Sequence, residues 1–292
     1  MTSVSAGDTA LATAAVAALH DELKAYPKPG LVSPVDSGAH ADMDFALMCR
    51  SADSLLEPLA QLAAAGREGR TFEEALMPLG IAAERRMLAA TGGVNTHRGA
   101  IFSMGLVVAA IARATALSAS IAPDSVRAAL KDEWGEALEA HAARGSTAAS
   151  HGALVHRKTG RDGARREAAL AFPSVFDVGL PALRRALTAG LDPNAASIQT
   201  LFALMEAVDD TTVLYRGGLD AGGFVRRSAA TFLADGGCFQ PDWRERAEHL
   251  HRAFIERNVS AGGCADLLAC TLLVSRCQNA STVMGSAPPL GY

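Results

Sequence analysis

Apolar residues recur at helical spacing along most of the chain, and the pattern breaks where proline, glycine and capping residues collect. The first such run predicts a helix over about Thr9–Ala25. It stops at Pro27-Lys28-Pro29-Gly30, because two prolines and a glycine cannot propagate the hydrogen-bond ladder. Residues 31–41 read as a loop, and a helix is expected from about Asp42 to Ala65. Thr71 and Glu74 have capping-box spacing, which predicts a helix to about Ala90 that Pro78 kinks or shortens. Gly92-Gly93 closes it, and a loop through His97 leads to an apolar helix near Ala100–Leu117. Asp192-Pro193 supplies an N-cap and a first-turn proline. Ile198, Leu201, Phe202, Met205 and Val208 then mark one buried face of a helix ending near Asp209. Asp242 with Glu245 opens a helix to about Asn258, and a last one follows Gly262-Gly263, carrying Leu267, Leu268, Leu272 and Leu273.

No strand-like alternation exceeds a few residues, and no repeat of fixed period is found. The expected fold is all-α: one compact, bundle-like domain over residues 1–292 with functional loops between helices. Residues 1–8 and 285–292 are expected to fray, and the Gly- and Arg-rich segment 144–166 reads as a basic insertion.

Composition agrees with the pattern. Alanine, the best helix former, makes up roughly a fifth of the chain, while aromatic residues are only 5%. An all-β fold is excluded, and 49% hydrophobic content with 20% charge excludes intrinsic disorder. A net charge of −4, from 27 basic and 31 acidic residues, gives no general attraction to nucleic acid. Cys49, Cys238, Cys264, Cys270 and Cys277 form an odd set without a C-x-x-C pair, which suits a reducing compartment. Leu11–Leu19 follows Asp8 and lacks a basic n-region, and Arg113 interrupts the apolar stretch Gly105–Ala119. A cytoplasmic location with no membrane partner is expected.

Candidate chemistry lies in the loops, where polar residues exceed what turns require. The segment 26–44 carries Lys28, Asp36, His40, Asp42 and Asp44, of which one aspartate is expected to cap the following helix. Gly92-Gly93 followed by Asn95, Thr96, His97 and Arg98 at a helix start is a way to present backbone N–H groups to an anion, although no Walker loop is present. His151 and the run Arg157, Lys158, Arg161, Arg165 and Arg166 read as a basic loop able to close on polyphosphate, or as a solvated run. Asp209 and Asp210 stand together at a predicted helix end, where the dipole is unfavourable, so a cation-binding role is expected. Asp266 lies in the first turn of the last helix. Carboxylates for Mg²⁺, Arg and Lys for phosphate, and histidines for proton transfer together indicate an enzyme acting on a nucleotide polyphosphate.

At these same loops the sequence resembles the triphosphoribosyl-dephospho-CoA synthase family. The matching blocks are Pro27-Lys-Pro-Gly-Leu-Val, Ser37-Gly-Ala-His-Ala-Asp-Met-Asp44, Gly93-Val-Asn-Thr-His-Arg-Gly-Ala-Ile-Phe102, and His151-Gly. Gly163-Ala-Arg-Arg-Glu-Ala168, Phe172-Pro173, Asp209-Asp-Thr-Thr, Tyr215-Arg-Gly-Gly218 and Gly262-Gly-Cys-Ala-Asp-Leu-Leu-Ala269 complete them. Departures are Arg98 for an expected Lys, Thr212 for Asn, Cys264 for Ser, and Ser260-Ala261-Gly-Gly without an expected proline.

The resemblance implies transfer of triphosphoribose from ATP to 3′-dephospho-CoA with release of adenine. The product is a precursor of the acyl-carrier prosthetic group of malonate decarboxylase or citrate lyase, with the stand-alone Ala/Arg-rich chain favouring the former. It implies Asp42 or Asp44 at the ribose or hydroxyl, and His40 or His97 for proton movement. Lys28, Asn95, Thr96, Arg98, His151, Arg165, Arg166 and Arg216 would contact substrate or phosphate. Asp209, Asp210 and Asp266 would hold Mg²⁺, with Glu22 and Asp36 as further metal candidates. Implied partners are ATP, 3′-dephospho-CoA and the acyl carrier subunit or its downstream phosphoribosyl transferase; oligomerisation is left open. The alternatives are a Mg²⁺-dependent N-glycoside hydrolase and a non-catalytic helical scaffold that binds the carrier protein.

Overall fold

The computed structural model describes residues 3–118, 121–144, 155 and 163–285. Every described element is helical. The first helix, α1 (Ala6–Lys24), begins before the expected Thr9. Ser5 accepts the Asp8 N–H, and the Asp8 carboxylate takes the Ser5 N–H at 2.8 Å, a reciprocal cap that holds residues expected to fray. Arg67 anchors the buried Asp8 from another helix.

The helix expected over Asp42–Ala65 is two helices, α2 (Phe45–Ser54) and α3 (Leu56–Arg67), meeting at Leu55. Pro58 explains the break, because it has no N–H to give the Ser54 carbonyl. Pro78 acts similarly upstream of α4 (Met77–Ala90). Without its N–H the ladder widens into a π turn over Phe72–Leu76, where Leu76 and Met77 donate five residues back to Thr71 and Phe72. Pro181 follows a second π turn, Ser174–Gly179, in the same way.

After α4 come α5 (Arg98–Ser118), α6 (Pro123–Ala143), α7 (Ala164–Ala169), α8 (Leu180–Thr188) and α9 (Pro193–Ala207). The last three are α10 (Thr211–Ala234), α11 (Trp243–Glu256) and α12 (Gly262–Gly285). The hydrophobic pattern did not single out α6, α7, α8 or α10. Helix α10 is kinked at Gly218, which has φ 65° and ψ −161°.

Helix α5 is the centre of the bundle and packs against α3, α6, α12 and α4. Val107, Val108, Ala109 and Ala110 are fully buried on it. Alanine permits this closeness: α3 approaches so tightly that a Cβ on Gly66 would sit 2.2 Å from the Ala109 carbonyl oxygen. Helix α5 is long and apolar enough to cross a membrane, but 72% of its most apolar window is buried inside the bundle. Most of its apolar surface is therefore covered by other helices.

Candidate active site

The first turns of α5, α10 and α12, the C-terminal end of α1 and the loop 25–44 line one cleft of about 1100 Å³. Three helix N-termini thus present positive dipole ends to it. These elements are distant in sequence and meet because α1, α5 and α12 pack together.

Glu22 and Lys28 form the floor. Both are buried, and Lys28 Nζ donates to Glu22 Oε1 at 2.5 Å and to the Glu22 carbonyl at 2.7 Å. Burial pushes Glu22 up and Lys28 down from their usual ranges, and each charge partly restores the other. Lys28 is thus committed to a carboxylate, which its selection as a phosphate ligand did not foresee.

Asp266 also lines the cleft. Its carboxyl is held well above the usual carboxylate range by burial, then by the negative charges of Glu22 and Asp210. Asp210 is buried, and its placement differs from the sequence expectation. It caps α10, with Oδ1 accepting the Thr212 N–H at 2.8 Å and the Val213 N–H at 3.4 Å. Its Oδ2 accepts the Cys264 N–H at 2.8 Å. Far from an unrewarded position at a helix C-terminus, Asp210 ties the starts of α10 and α12 together. Helix α9 ends at Ala207, short of the expected Asp209, so the adjacent aspartates belong to the next N-terminus.

Asp209 pairs with Arg226, and Asp36 bonds His251 Nε2 at 3.0 Å and the Gly38 N–H at 2.8 Å. Neither lines the cleft. Asp44 caps α2 through the Leu47 N–H at 2.7 Å and is likewise outside it, whereas exposed Asp42 lines it. Of the two aspartates on that loop, Asp44 is the capping one.

Both candidate histidines line the cleft. Arg216 Nη2 donates to His40 Nδ1 at 3.0 Å, so Nε2 carries the proton and donates to Ser260 Oγ at 2.9 Å. Burial, then the Arg216 charge, lowers His40 to about 4, against a smaller opposing effect of Asp42 3.8 Å away. His97 Nδ1 bonds Ser51 Oγ at 2.7 Å, and Ser51 Oγ bonds Thr96 Oγ1 at 2.6 Å. Burial, then the charges of His20 and Lys28, lowers His97 to about 4 as well. Both imidazoles are neutral at pH 7. The unfolded chain binds protons these residues refuse when folded, so stability present above pH 6.5 is lost as pH falls towards 4. Replacing buried His97 by Gln is expected to flatten the dependence of melting temperature on pH between 6.5 and 4; an unchanged slope would refute this assignment.

The cations ring the mouth. Arg216 also donates to the Ala39 carbonyl at 2.8 Å and to Asn258 Oδ1 at 3.3 Å. Arg98 pairs with Glu84, while Asn95 Oδ1 accepts the Arg98 N–H at 3.3 Å at the start of α5. Arg165 and Arg166 line the cleft with no carboxylate partner in ion-pair range among the described residues. His151, with segments 145–154 and 156–162, lies outside the described residues.

The sequence reading missed Ser51, Ser260, Glu84, Thr211, Thr212 and Tyr215, the last four lining the cleft with Ser260. Thr211, Thr212 and Tyr215 had a signal, namely their place in the first turns after Asp210. Ser51 had none, since its role depends on the packing of α2 against the loop before α5.

The description ATP:dephospho-CoA triphosphoribosyl transferase belongs to the family model that matches residues 8–283. The chain belongs to this family. It is 41% identical over 272 residues to the probable 2-(5″-triphosphoribosyl)-3′-dephosphocoenzyme-A synthase of Azotobacter vinelandii, covering 90% of this chain and 89% of that protein. The protein of the same description from Pseudomonas aeruginosa strain UCBPP-PA14 is 41% identical over 273 residues, covering 91% and 90%. That of Acinetobacter calcoaceticus is 37% identical over 262 residues, covering 90% and 89%. No solved structure matches the chain. Membership makes the protein a transferase of this general type.

Within this family member, Gly99 is what lets Asp266 reach the start of α5. A Cβ on Gly99 would lie 2.1 Å from Asp266 Oδ2. Alanine is otherwise favoured in a helix. Gly99→Ala is expected to lower turnover by roughly 100-fold, as loss of one preorganised charged group does, with no fall in melting temperature. Turnover within twofold of the parent would show that the Asp266 position is unimportant.

Proposed function

We propose that the protein transfers the 5-triphosphoribosyl group of ATP to the 2′-hydroxyl of 3′-dephospho-CoA. The bond from C1″ to adenine breaks, the bond from C1″ to the acceptor oxygen forms, and adenine leaves with the proton given up by the hydroxyl. The observation that carries this reading is the pairing, in one cleft, of buried carboxylates with a ring of arginines and helix N-termini. At about 1100 Å³ the cleft also exceeds the roughly 300–1,000 Å³ typical for one small ligand, which suits two nucleotides.

Glycosidic cleavage builds positive charge at C1″. Glu22, which Lys28 keeps ionised in a buried setting, supplies the negative field that favours it, and Asp266 would add to that field once a cation offsets the burial that holds its proton. Arg165, Arg216 and Arg98 take phosphate oxygens, assisted by the N-termini of α5, α10 and α12. Asp42, exposed beside His40, is the acceptor of the hydroxyl proton in this reading. Neutral His97 offers a proton-relay group anchored by Ser51, while Arg216 and Ser260 occupy both nitrogens of His40, which therefore orients Arg216.

Mg²⁺ fits this donor set. Among the described residues no ready cage of three or more ligands exists, but Mg²⁺ commonly binds through one or two carboxylates plus substrate phosphates. Asp266 and Glu22 would hold it, with Asp210 fixing the helix that carries Asp266. When bound it would neutralise triphosphate charge. Asp209 and Asp36 are assigned no part in this, because neither lines the cleft. The setting proposed is cytoplasmic, with the product passing to the phosphoribosyl transferase that loads an acyl carrier.

The test is incubation with ATP, 3′-dephospho-CoA and Mg²⁺, followed by chromatography. Adenine released only with acceptor present is the expected result. Adenine released without acceptor would make the protein an N-glycoside hydrolase, and ADP without adenine would overturn both readings.

A further inference from the structure

Part of the cleft lining has a different chemistry. There the π turn before α4 sets Phe72 against His141 of α6, which also faces Phe102 of α5, and Met77 and Ile81 line the cleft as well. The His141 ring meets Phe72 edge-on at 5.2 Å and lies within 27° of parallel to Phe102 at 6.1 Å. Resting on the transferase reading, we propose that this Phe72–Phe102–His141 cluster is the subsite for the purine ring of one of the two adenine nucleotides.

Four observations converge on a flat, uncharged, nitrogen-rich ring attached to phosphate. The walls are aromatic and apolar, and Phe102 is only partly buried although it lies on the central helix, so part of its ring is uncovered. His141 is half-buried, and burial followed by the Arg165 and Arg144 charges lowers its affinity for a proton. A neutral imidazole offers one donor and one acceptor, the complement of an adenine edge. Arg165 lines the same region and is free of ion pairing among the described residues, so a phosphate attached to the bound nucleoside has a cation within the cleft.

The leaving adenine of ATP and the retained adenine of 3′-dephospho-CoA share this chemistry, and kinetics separate them. Phe102→Leu keeps a bulky apolar side chain and removes the π face, and Phe102→Tyr keeps the ring. Aromatic stacking on a base is worth enough that Phe102→Leu is expected to raise KM for one nucleotide by roughly tenfold or more. The other KM and kcat should stay within about twofold to threefold, and Phe102→Tyr should restore the first. A rise for ATP assigns the leaving base to this cluster, and a rise for 3′-dephospho-CoA assigns the retained one. No change in either KM, or a parallel rise in both with a lower melting temperature, overturns the subsite. Calorimetric titration of each nucleotide into the parent and Phe102→Leu separates this from the activity. Weakened binding of one nucleotide by an enzyme that releases no adenine leaves the subsite standing and removes the transferase reading; equal binding removes the subsite.

Discussion

Asp266→Asn is expected to reduce adenine release by roughly 100- to 1,000-fold while leaving the melting temperature unchanged or higher. The two halves of this result have one cause. Burial and the charges of Glu22 and Asp210 raise the Asp266 carboxyl, so ionising it costs folding free energy. For a carboxyl raised in the folded state, stability is fully present below its ordinary value of 3.8 and is lost as pH rises through the folded value. Asparagine keeps the shape, removes the repulsion and cannot supply a full negative charge to a cation or a developing oxocarbenium. Mg²⁺ is accordingly expected to raise the melting temperature of the parent and to have no such effect on Asp266→Asn. Calorimetric scans with and without Mg²⁺, alongside chromatographic assays, measure both. A destabilised variant with near-normal turnover would remove Asp266 from the site and make it a structural residue.

Lys28→Met carries the largest expected loss of stability. Lys28 is 1% exposed, and its ammonium holds both the carboxylate and the main-chain carbonyl of Glu22. Removing it strands a carboxylate inside the bundle, at a cost of about 3–5 kcal/mol. Adding Glu22→Gln removes the stranded charge, so the double variant should regain most of that loss in urea midpoint while remaining inactive. A single variant as stable as the parent would show that the pair contributes no net stability and that Glu22 is protonated in the fold.

Several helix boundaries were legible because their causes are local. Asp192 and Asp44 cap helices three residues ahead, and Thr71 accepts the Glu74 N–H at 3.3 Å. At Asp242 the boundary also held, with α11 starting at Trp243, although Asp242 makes no side-chain capping bond and instead lies 3.7 Å from Arg246. Pro58 and Pro78 were present in the sequence, but whether a proline ends a helix, kinks it or converts it to a π turn depends on what packs against it. At Asp209-Asp210 the error was one of direction. The pair follows α9 and precedes α10, and only the second relationship is realised, through bonds from Thr212, Val213 and Cys264.

The sequence by itself determined the helical class, most loop positions and the family, because these rest on residues adjacent or nearly adjacent along the chain. Through the family resemblance it also nominated Glu22, Lys28, His97, Arg216 and Asp266. Only the tertiary structure decided which members of that set share a cleft. Asp266 reaches the start of α5 because Gly99 lacks a side chain, and Lys28 faces Glu22 because the loop folds back under α1. It also sent Asp36 to His251 and Asp209 to Arg226. The division has a physical reason: capping and periodicity act over three or four residues, whereas the charge environment of a buried group is set by whatever distant helices pack around it.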